Sequence, residues 1–419
     1  MIEQAFRSAR VVRRLRSTLL GPAFDDLVAY LSDRGHAVGT IQVYVQAVEH
    51  FDRWLRRSRR GVVSIDEAVV ERFLRDHLPR CRCPTPCGTT VHQCRAALRH
   101  LLIVLRRAGH VPPRAGRKLS PAERLVRTFE AHLRDDRGAA PVTCKYSGFY
   151  AREFLEHRFR GGDLKLAHLG SAAVMAFLTA RVGRWSPGSM QVAASSLRRF
   201  FRYLQMIGKA DARLVQAVPA VASWRLASVP RALTDRQVAA VLAAFDRSTR
   251  IGARGYATTI CMTHLGLRAC EVAALTLDDI DWRAGTITVP ATKTRRADQL
   301  PLPAPVARAI LAYVRRARPS STTRQLFVRH KTPAGTHAGP GIVRVAVHKA
   351  GARSGLSAGV VTPSVLRHTV ATRLLRSGAT MKEVADVLRH RSIDTAAIYA
   401  KVDIVALRDV AAPWPRRAR

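Results

Sequence analysis

Four residues in the C-terminal part of the chain have types and spacing suited to phosphoryl transfer: Arg268, Arg367, His390 and Tyr399. Tyr399 follows His390 by nine residues, in His390-Arg391-Ser392-Ile393-Asp394-Thr395-Ala396-Ala397-Ile398-Tyr399. Leu366-Arg367-His368-Thr369 lies upstream, and Gly266-Leu267-Arg268-Ala269-Cys270-Glu271 well before that. A phenol is a weak nucleophile at neutral pH, because its pKa is near 10, so it needs an electropositive site. Two arginines supply one. Guanidinium stays charged and offers parallel donors that can clamp the non-bridging oxygens of a phosphate as charge builds on them. The imidazole of His390 can hydrogen-bond the same phosphate or help remove the phenolic proton. Such a set can break and rejoin a DNA backbone. Glu271 lies one helical turn beyond Arg268 and can either orient it or form a plain helical ion pair with it.

These segments resemble, in order and in residue type, the tyrosine recombinase (phage integrase) family, over about residues 232–408. The resemblance implies that Tyr399 forms a 3′-phosphotyrosine and releases a 5′-hydroxyl. The phosphodiester energy is kept in that bond, so the chemistry requires neither ATP nor a metal, and no cofactor is expected. It also implies a role for Lys293, in Thr292-Lys293-Thr294 just after a strand ending near Val289. The family's hairpin lysine protonates the leaving 5′-oxygen. Arg295 and Arg296 are rival occupants, but arginine does not easily release a proton. Double-stranded DNA is the implied partner, bound by a homotetramer, alone or with co-encoded recombinases, with strand exchange through a Holliday junction.

Two positions depart from the family pattern. Its second box is His-x-x-Arg, and here it reads Ser364-Val365-Leu366-Arg367. A serine hydroxyl can donate a hydrogen bond to phosphate but cannot share protons near pH 7 as imidazole can. His368 follows Arg367, but a neighbouring helical residue points about 100° away, so it is no simple replacement; the family also carries a histidine there. The family's Leu-Gly-His reads Leu388-Arg389-His390, with an arginine that tolerates a helix end and can touch DNA. The expected function is a site-specific recombinase or integrase of a mobile element, slowed by Ser364. The alternatives are a DNA-binding accessory or regulatory protein that has lost catalysis, and a topoisomerase of similar chemistry. A duplicated N-terminal region favours a recombinase over a topoisomerase.

Composition agrees with a polyanionic partner. Lys and Arg number 70 against 30 Asp and Glu, a formal charge of +40, and a chain this basic must face a polyanion, of which nucleic acid is the common one. Hydrophobic content of 47% is ordinary and permits packed cores. No apolar run approaches the roughly 18 residues of a membrane span, and the arginine-rich N-terminus lacks the apolar centre of a signal peptide. Seven cysteines without a secretory signal point to reduced thiols in the cytoplasm. Cys81-x-Cys83-x3-Cys87, followed by His92 and Cys94, offers ligands suited to zinc. The spacings match no common zinc module, so reduced loop cysteines are the default reading and no metal ligand is assigned.

The elements that must position these residues follow from periodicity. Arg34-Gly35, Thr40, Phe51, Phe73-Leu74, Leu98-Arg99 and Gly109 recur as Arg137-Gly138, Thr143, Phe154, Phe177-Leu178, Leu197-Arg198 and Gly208, offset by 99 to 104 residues. A period near 100 is a domain duplication rather than a solenoid repeat. Helical stripes run through both copies: Leu98, Leu101, Leu102 and Leu105 in one, Leu197, Phe200, Phe201 and Leu204 in the other. Arg198, Arg199 and Arg202 lie off the stripe, either meeting phosphate or forming a solvated basic face. Residues 112–121 and 217–230 read as linkers. Thr234 to Gln237 is a capping-box pattern opening a helix with Val238, Val241, Leu242 and Phe245 on one face. Ile287 and Val289 alternate with threonines ahead of Leu300-Pro301-Leu302, which reads as a β-hairpin or small sheet. Residues 303–410 read as successive short helices.

The expected fold is mainly α: two helical, SAM-like core-binding domains at 1–115 and 120–216, then an α+β catalytic domain at 231–419 with a small antiparallel sheet. In the tail, Ile404, Leu407 and Ala411 precede Pro413-Trp414-Pro415, a segment expected to dock on a neighbouring protomer or to pack in cis.

Overall fold

The computed structural model describes residues 1–83, 90–113, 119–160, 162–222, 229–290, 297–357, 359–390, 392 and 396–402. It divides into two compact units: residues 115–227, and residues 1–114 together with 228–419.

The N-terminal stretch of the larger unit is helical: α1 (Ile2–Ala5), α2 (Ala9–Arg16), α3 (Gly21–Asp33), α4 (Val38–Arg57), α5 (Glu67–Arg72) and α6 (Val91–Arg107). α5 runs on into a π-helical turn, Phe73–His77. The leucine stripe of α6 is buried against α3 and α4, where Phe24, Phe51 and Phe73 fill the core. The smaller unit comprises α7 (Pro121–Asp135), α8 (Pro141–Phe159), α9 (Ser171–Thr179), α10 (Pro187–Met206) and α11 (Arg213–Gln216) around a core of its own.

The repeated landmarks occupy equivalent places. Phe51 and Phe154 are buried on α4 and α8, and Phe73 and Phe177 on the elements that follow. Gly35 and Gly138 precede α4 and α8 with φ of 74° and 56°, and Gly109 and Gly208 follow α6 and α10 with φ of 73° and 69°. That left-handed conformation ends a helix at little cost only in glycine. Arg198 departs from both sequence readings: its guanidinium donates to the carbonyls of Val218 (3.1 Å) and Pro219 (2.9 Å) within its own unit. Arg199 and Arg202 are exposed.

The described residues from 229 to 402 hold α12 (Asp235–Ala243), α13 (Arg250–Leu265), α14 (Ala269–Ala274), β1 (Ile280–Asp281), β2 (Thr286–Val289) and β3 (Asp298–Pro301). They continue as α15 (Ala304–Arg316), α16 (Pro340–Arg353), α17 (Pro363–Arg376) and α18 (Met381–Val387). Thr234 and Gln237 close the capping box of α12. The strands form one antiparallel sheet in the order β1-β2-β3, with Ile287 opposite Leu300 and Val289 opposite Asp298. Ile287 and Val289 face the core, as period two requires. Between α15 and α16 the chain is not helical. Two isolated bridges, Thr276 to Gln325 and Val328 to His337, hold it, and Leu326, Phe327 and Val328 are buried. The reading of residues 303–410 as successive short helices fails here, because a three-residue apolar run carries no period. No helix among the described residues is long and apolar enough to cross a membrane. The tail segment from Ile404 to Pro415 lies outside the described residues.

Phe154 is fully buried, with ring centroids 5.4 Å from Phe177 and 5.2 Å from Phe201. Phe154→Ala should cost about 3–5 kcal/mol in urea unfolding; a loss near zero would show that this aromatic cluster does not sustain the smaller unit.

Candidate active site

The site assembles around α17. Pro363 opens this helix and Thr362 caps it, accepting from the Val365 amide, so Arg367 falls on the buried face one turn in. The Thr369 hydroxyl oxygen accepts from the Leu233 amide at 2.9 Å and fastens the same face to the start of the domain. Arg367 donates Nη1 to the Gly266 carbonyl at 2.6 Å and Nη2 to the Leu388 carbonyl. Gly266 ends α13 with φ 61°, and a Cβ there would stand 2.6 Å from a Leu388 methyl. Glycine is thus required both by the turn and by the close approach of the segment after α18.

Arg268 stands at the N-cap of α14. Glu271 accepts from its backbone amide at 2.7 Å and from its Nη1 at 2.5 Å. The orienting role is the one the geometry supports, because Glu271 is buried and carries a second cation. Arg389 Nη2 reaches its other side at 2.7 Å, and both side chains are 4% exposed. Arg389 is therefore buried rather than free to touch DNA. It turns inward with φ 54°, a left-handed conformation uncommon outside glycine. Burial alone would raise the Glu271 carboxyl, but Arg389 and the Arg268 donors outweigh it and hold it below the ordinary range. Arg367 is shifted down to about 10, first by burial and then by Arg268, and stays charged at neutral pH.

Tyr399 lies in a short 3-10 turn, Ala397–Val402, and is 1% exposed. Burial raises its pKa, against the pull of Arg367 and Arg268. Its hydroxyl is 2.8 Å from His368 Nδ1. His368 does not stand in for Ser364; it meets the phenol directly, a contact that an argument about helix angle could not supply. Burial, and then Arg367, lowers its pKa, so at neutral pH it is a neutral imidazole able to accept the phenolic proton. His390 lies against the other face of the phenol, rings nearly parallel at 6.3 Å. Burial and the arginines bring it down to about 4, and its Nδ1 is buried with no hydrogen-bond partner among the described residues. Ser364 is exposed on the first turn of α17. Arg268, Arg367, His390 and Tyr399 are thus brought together, and His368 and Arg389 join them. Lys293, with Arg295 and Arg296, lies outside the described residues.

The sequence profile of the phage integrase family matches residues 231–404. A putative integrase/recombinase of Sinorhizobium fredii, y4rA, is 37% identical over 392 residues, covering 93% of each chain. The chain belongs to the phage integrase family. A second S. fredii integrase/recombinase, y4rF, is 30% identical over 99% of this chain and 96% of its own. The tyrosine recombinase XerD of Mycobacterium tuberculosis is 31% identical over 69% of this chain and 96% of its own. This integrase-family chain also shares its fold with solved structures. A lambda integrase dimer bound to a COC' core site superposes with TM-score 0.52 at 17% identity, covering 77% of this chain and 90% of that one. XerH bound to palindromic difH gives 0.51 at 18%, covering 81% and 93%.

The shared carboxylate sets a stability test. Glu271→Ala strands Arg389 in the interior and should cost about 3–5 kcal/mol. Arg389→Gly should cost less, because glycine suits the left-handed backbone and Glu271 keeps Arg268. Since the folded pKa of Glu271 lies below its free value of 4.5, its contribution is complete above that value and is lost as pH falls through the lowered pKa. Urea unfolding from pH 7 down to acid should show this loss in the parent chain and not in Glu271→Ala.

Proposed function

We propose that the chain is a site-specific DNA recombinase of mobile-element type, acting in the cytoplasm on double-stranded DNA through a 3′-phosphotyrosine. The observation that carries this reading is the Tyr399 hydroxyl resting 2.8 Å from a neutral His368, in a pocket whose charge comes from Arg268 and Arg367. The phenolic oxygen attacks phosphorus as His368 Nδ1 takes its proton. The two guanidiniums take up charge on the non-bridging oxygens, and the bond to the 5′-oxygen breaks. Lys293 is assigned the proton delivered to that oxygen, which leaves as a hydroxyl. His390, neutral beside three arginines, is assigned a hydrogen bond to the scissile phosphate, whose negative charge would raise its pKa. The helical domains at 1–115 and 120–216 are assigned to an arm and one half of a DNA clamp, and the domain at 231–419 to the other half. Four protomers are assigned to each recombining pair of sites. Names among the relatives, and the DNA-bound state of the lambda integrase and XerH structures, support this reading.

A second reading, a DNA-binding accessory that does not cut, is favoured by Ser364 at the family's histidine position. Covalent trapping separates the two. Incubated with DNA carrying the flanking ends of its own gene, the parent protein should give a denaturant-resistant adduct, and Tyr399→Phe should give none. His368→Ala should slow adduct formation by about 10²-fold or more. The rate should also fall on the acid side of pH 6.5, where His368 takes up a proton. Binding with no adduct, unrescued by Ser364→His, would decide for the accessory.

Contact with roughly 8 phosphates should give a log–log salt slope of about −7 in DNA-binding titrations. A slope near zero would rule out a phosphate-dominated clamp.

A further inference from the structure

The cysteine-rich segment folds into a site that linear spacing did not foretell. Of the ligands suggested by sequence, His92 is exposed, Cys94 sits in the hydrophobic core, and Cys87 lies outside the described residues. Cys81 and Cys83 instead meet two histidines from elsewhere in the chain. His50 Nε2, His77 Nε2, Cys81 Sγ and Cys83 Sγ all lie within 4.8 Å of one another. His50 Nε2 is 3.2 Å from His77 Nε2 and 3.2 Å from Cys81 Sγ, while His77 Nε2 is 3.8 Å from Cys83 Sγ.

These separations resemble the edges of a metal tetrahedron. Zinc bonds of roughly 2.0–2.1 Å to nitrogen and 2.3 Å to sulfur place tetrahedral ligands about 3.3–3.8 Å apart. The mode of presentation also fits. His50 is buried on α4, and the π-helical turn inserts an extra residue that carries His77 back toward that helix. Single π turns recur at functional sites. Donors already face both sulfurs: the Cys83 amide donates to Cys81 Sγ at 3.3 Å, and Arg57 Nη1 donates to Cys83 Sγ at 3.5 Å. Phe73 packs its ring against both imidazoles, at 5.3 Å from each, and fixes their orientation. Two thiolates neutralise a divalent cation, so a half-buried cluster of this kind holds no net charge. A tetrahedral set of two sulfurs and two nitrogens selects zinc over calcium or magnesium, which take oxygen ligands.

We propose that His50, His77, Cys81 and Cys83 bind a structural zinc ion that fastens residues 73–83 to α4. All four coordination positions come from protein, so the ion has no open position for chemistry and the site is separate from Tyr399. Binding would release the thiol protons and add a cross-link between α4 and residues 73–83, which already pack through Phe51, Trp54 and Phe73.

Metal analysis of the full chain, purified reduced and without chelator, tests this. About one zinc per chain is expected, falling below roughly one-tenth in Cys81→Ser/Cys83→Ser and in His77→Ala, and unchanged in His92→Ala. Because those variants can misfold, the parent protein is also stripped and titrated with cobalt(II). Tetrahedral coordination by two thiolates should give intense visible d–d bands and a thiolate-to-cobalt charge-transfer band, both abolished by stoichiometric zinc. A parent chain with under about one-tenth equivalent of zinc and no such bands overturns the proposal and leaves a hydrogen-bonded cluster. Zinc retained in the double cysteine variant, or lost in His92→Ala, overturns this ligand set.

Discussion

One carboxylate makes the convergence of three guanidiniums tolerable. Arg268, Arg367 and Arg389 come together where water is largely excluded, and like charges repel strongly in such surroundings. Among the described residues, Glu271 is the anion that meets them, shared between Arg268 and Arg389. The remaining compensation comes from backbone dipoles: the carbonyls of Gly266 and Leu388 accept from Arg367, and that of Val387 from Arg389. Each of those carbonyls belongs to the end of a helix or the residues just after it, where it has no partner within the helix. The ends of α13 and α18 are therefore part of the charge balance, and the left-handed Gly266 is what allows them to approach so closely.

Much of the fold was legible because burial imposes a period. The stripe on α6, the capping box of α12 and the alternation in β2 each encode one face, and the duplicated landmarks encode the recurrence of a whole helical arrangement. The segment around Leu326 escaped because isolated bridges impose no period. Within the site, Arg268, Arg367, His390 and Tyr399 could be read from types and order, and Glu271 from helical spacing. His368 and Arg389 could not. Whether His368 meets Tyr399 depends on where the turn at Ala397–Val402 docks, which is a tertiary fact. The inward turn of Arg389 was hidden because its partner lies 118 residues away. The same limit applies to His50 and His77, which no spacing rule connects to Cys81 and Cys83.

The two helical sets share their glycine turns and differ in how many aromatic rings surround the shared phenylalanine pair. The second is packed with phenylalanine, through Phe129, Phe154, Phe177, Phe200 and Phe201. The first also holds Phe24, Phe51 and Phe73 in its core, and adds ring contacts among Tyr30 and the half-buried His36, Tyr44 and His100. Backbone constraints at the turns outlast side-chain identity, because few residues can replace a left-handed glycine while many combinations fill a core.

Burial of Tyr399 separates attraction from reaction. A charge of +40 draws in polyanions over a range set by salt, about 8–10 Å at ordinary ionic strength. The phenolic oxygen, by contrast, acts only on an atom brought to bonding distance, and at 1% exposure it offers no such approach from bulk water. A chain so basic can therefore hold acidic polymers of many kinds without modifying them. For the proposed reaction, discrimination then lies in what gives a phosphate access to that hydroxyl, not in what the surface attracts.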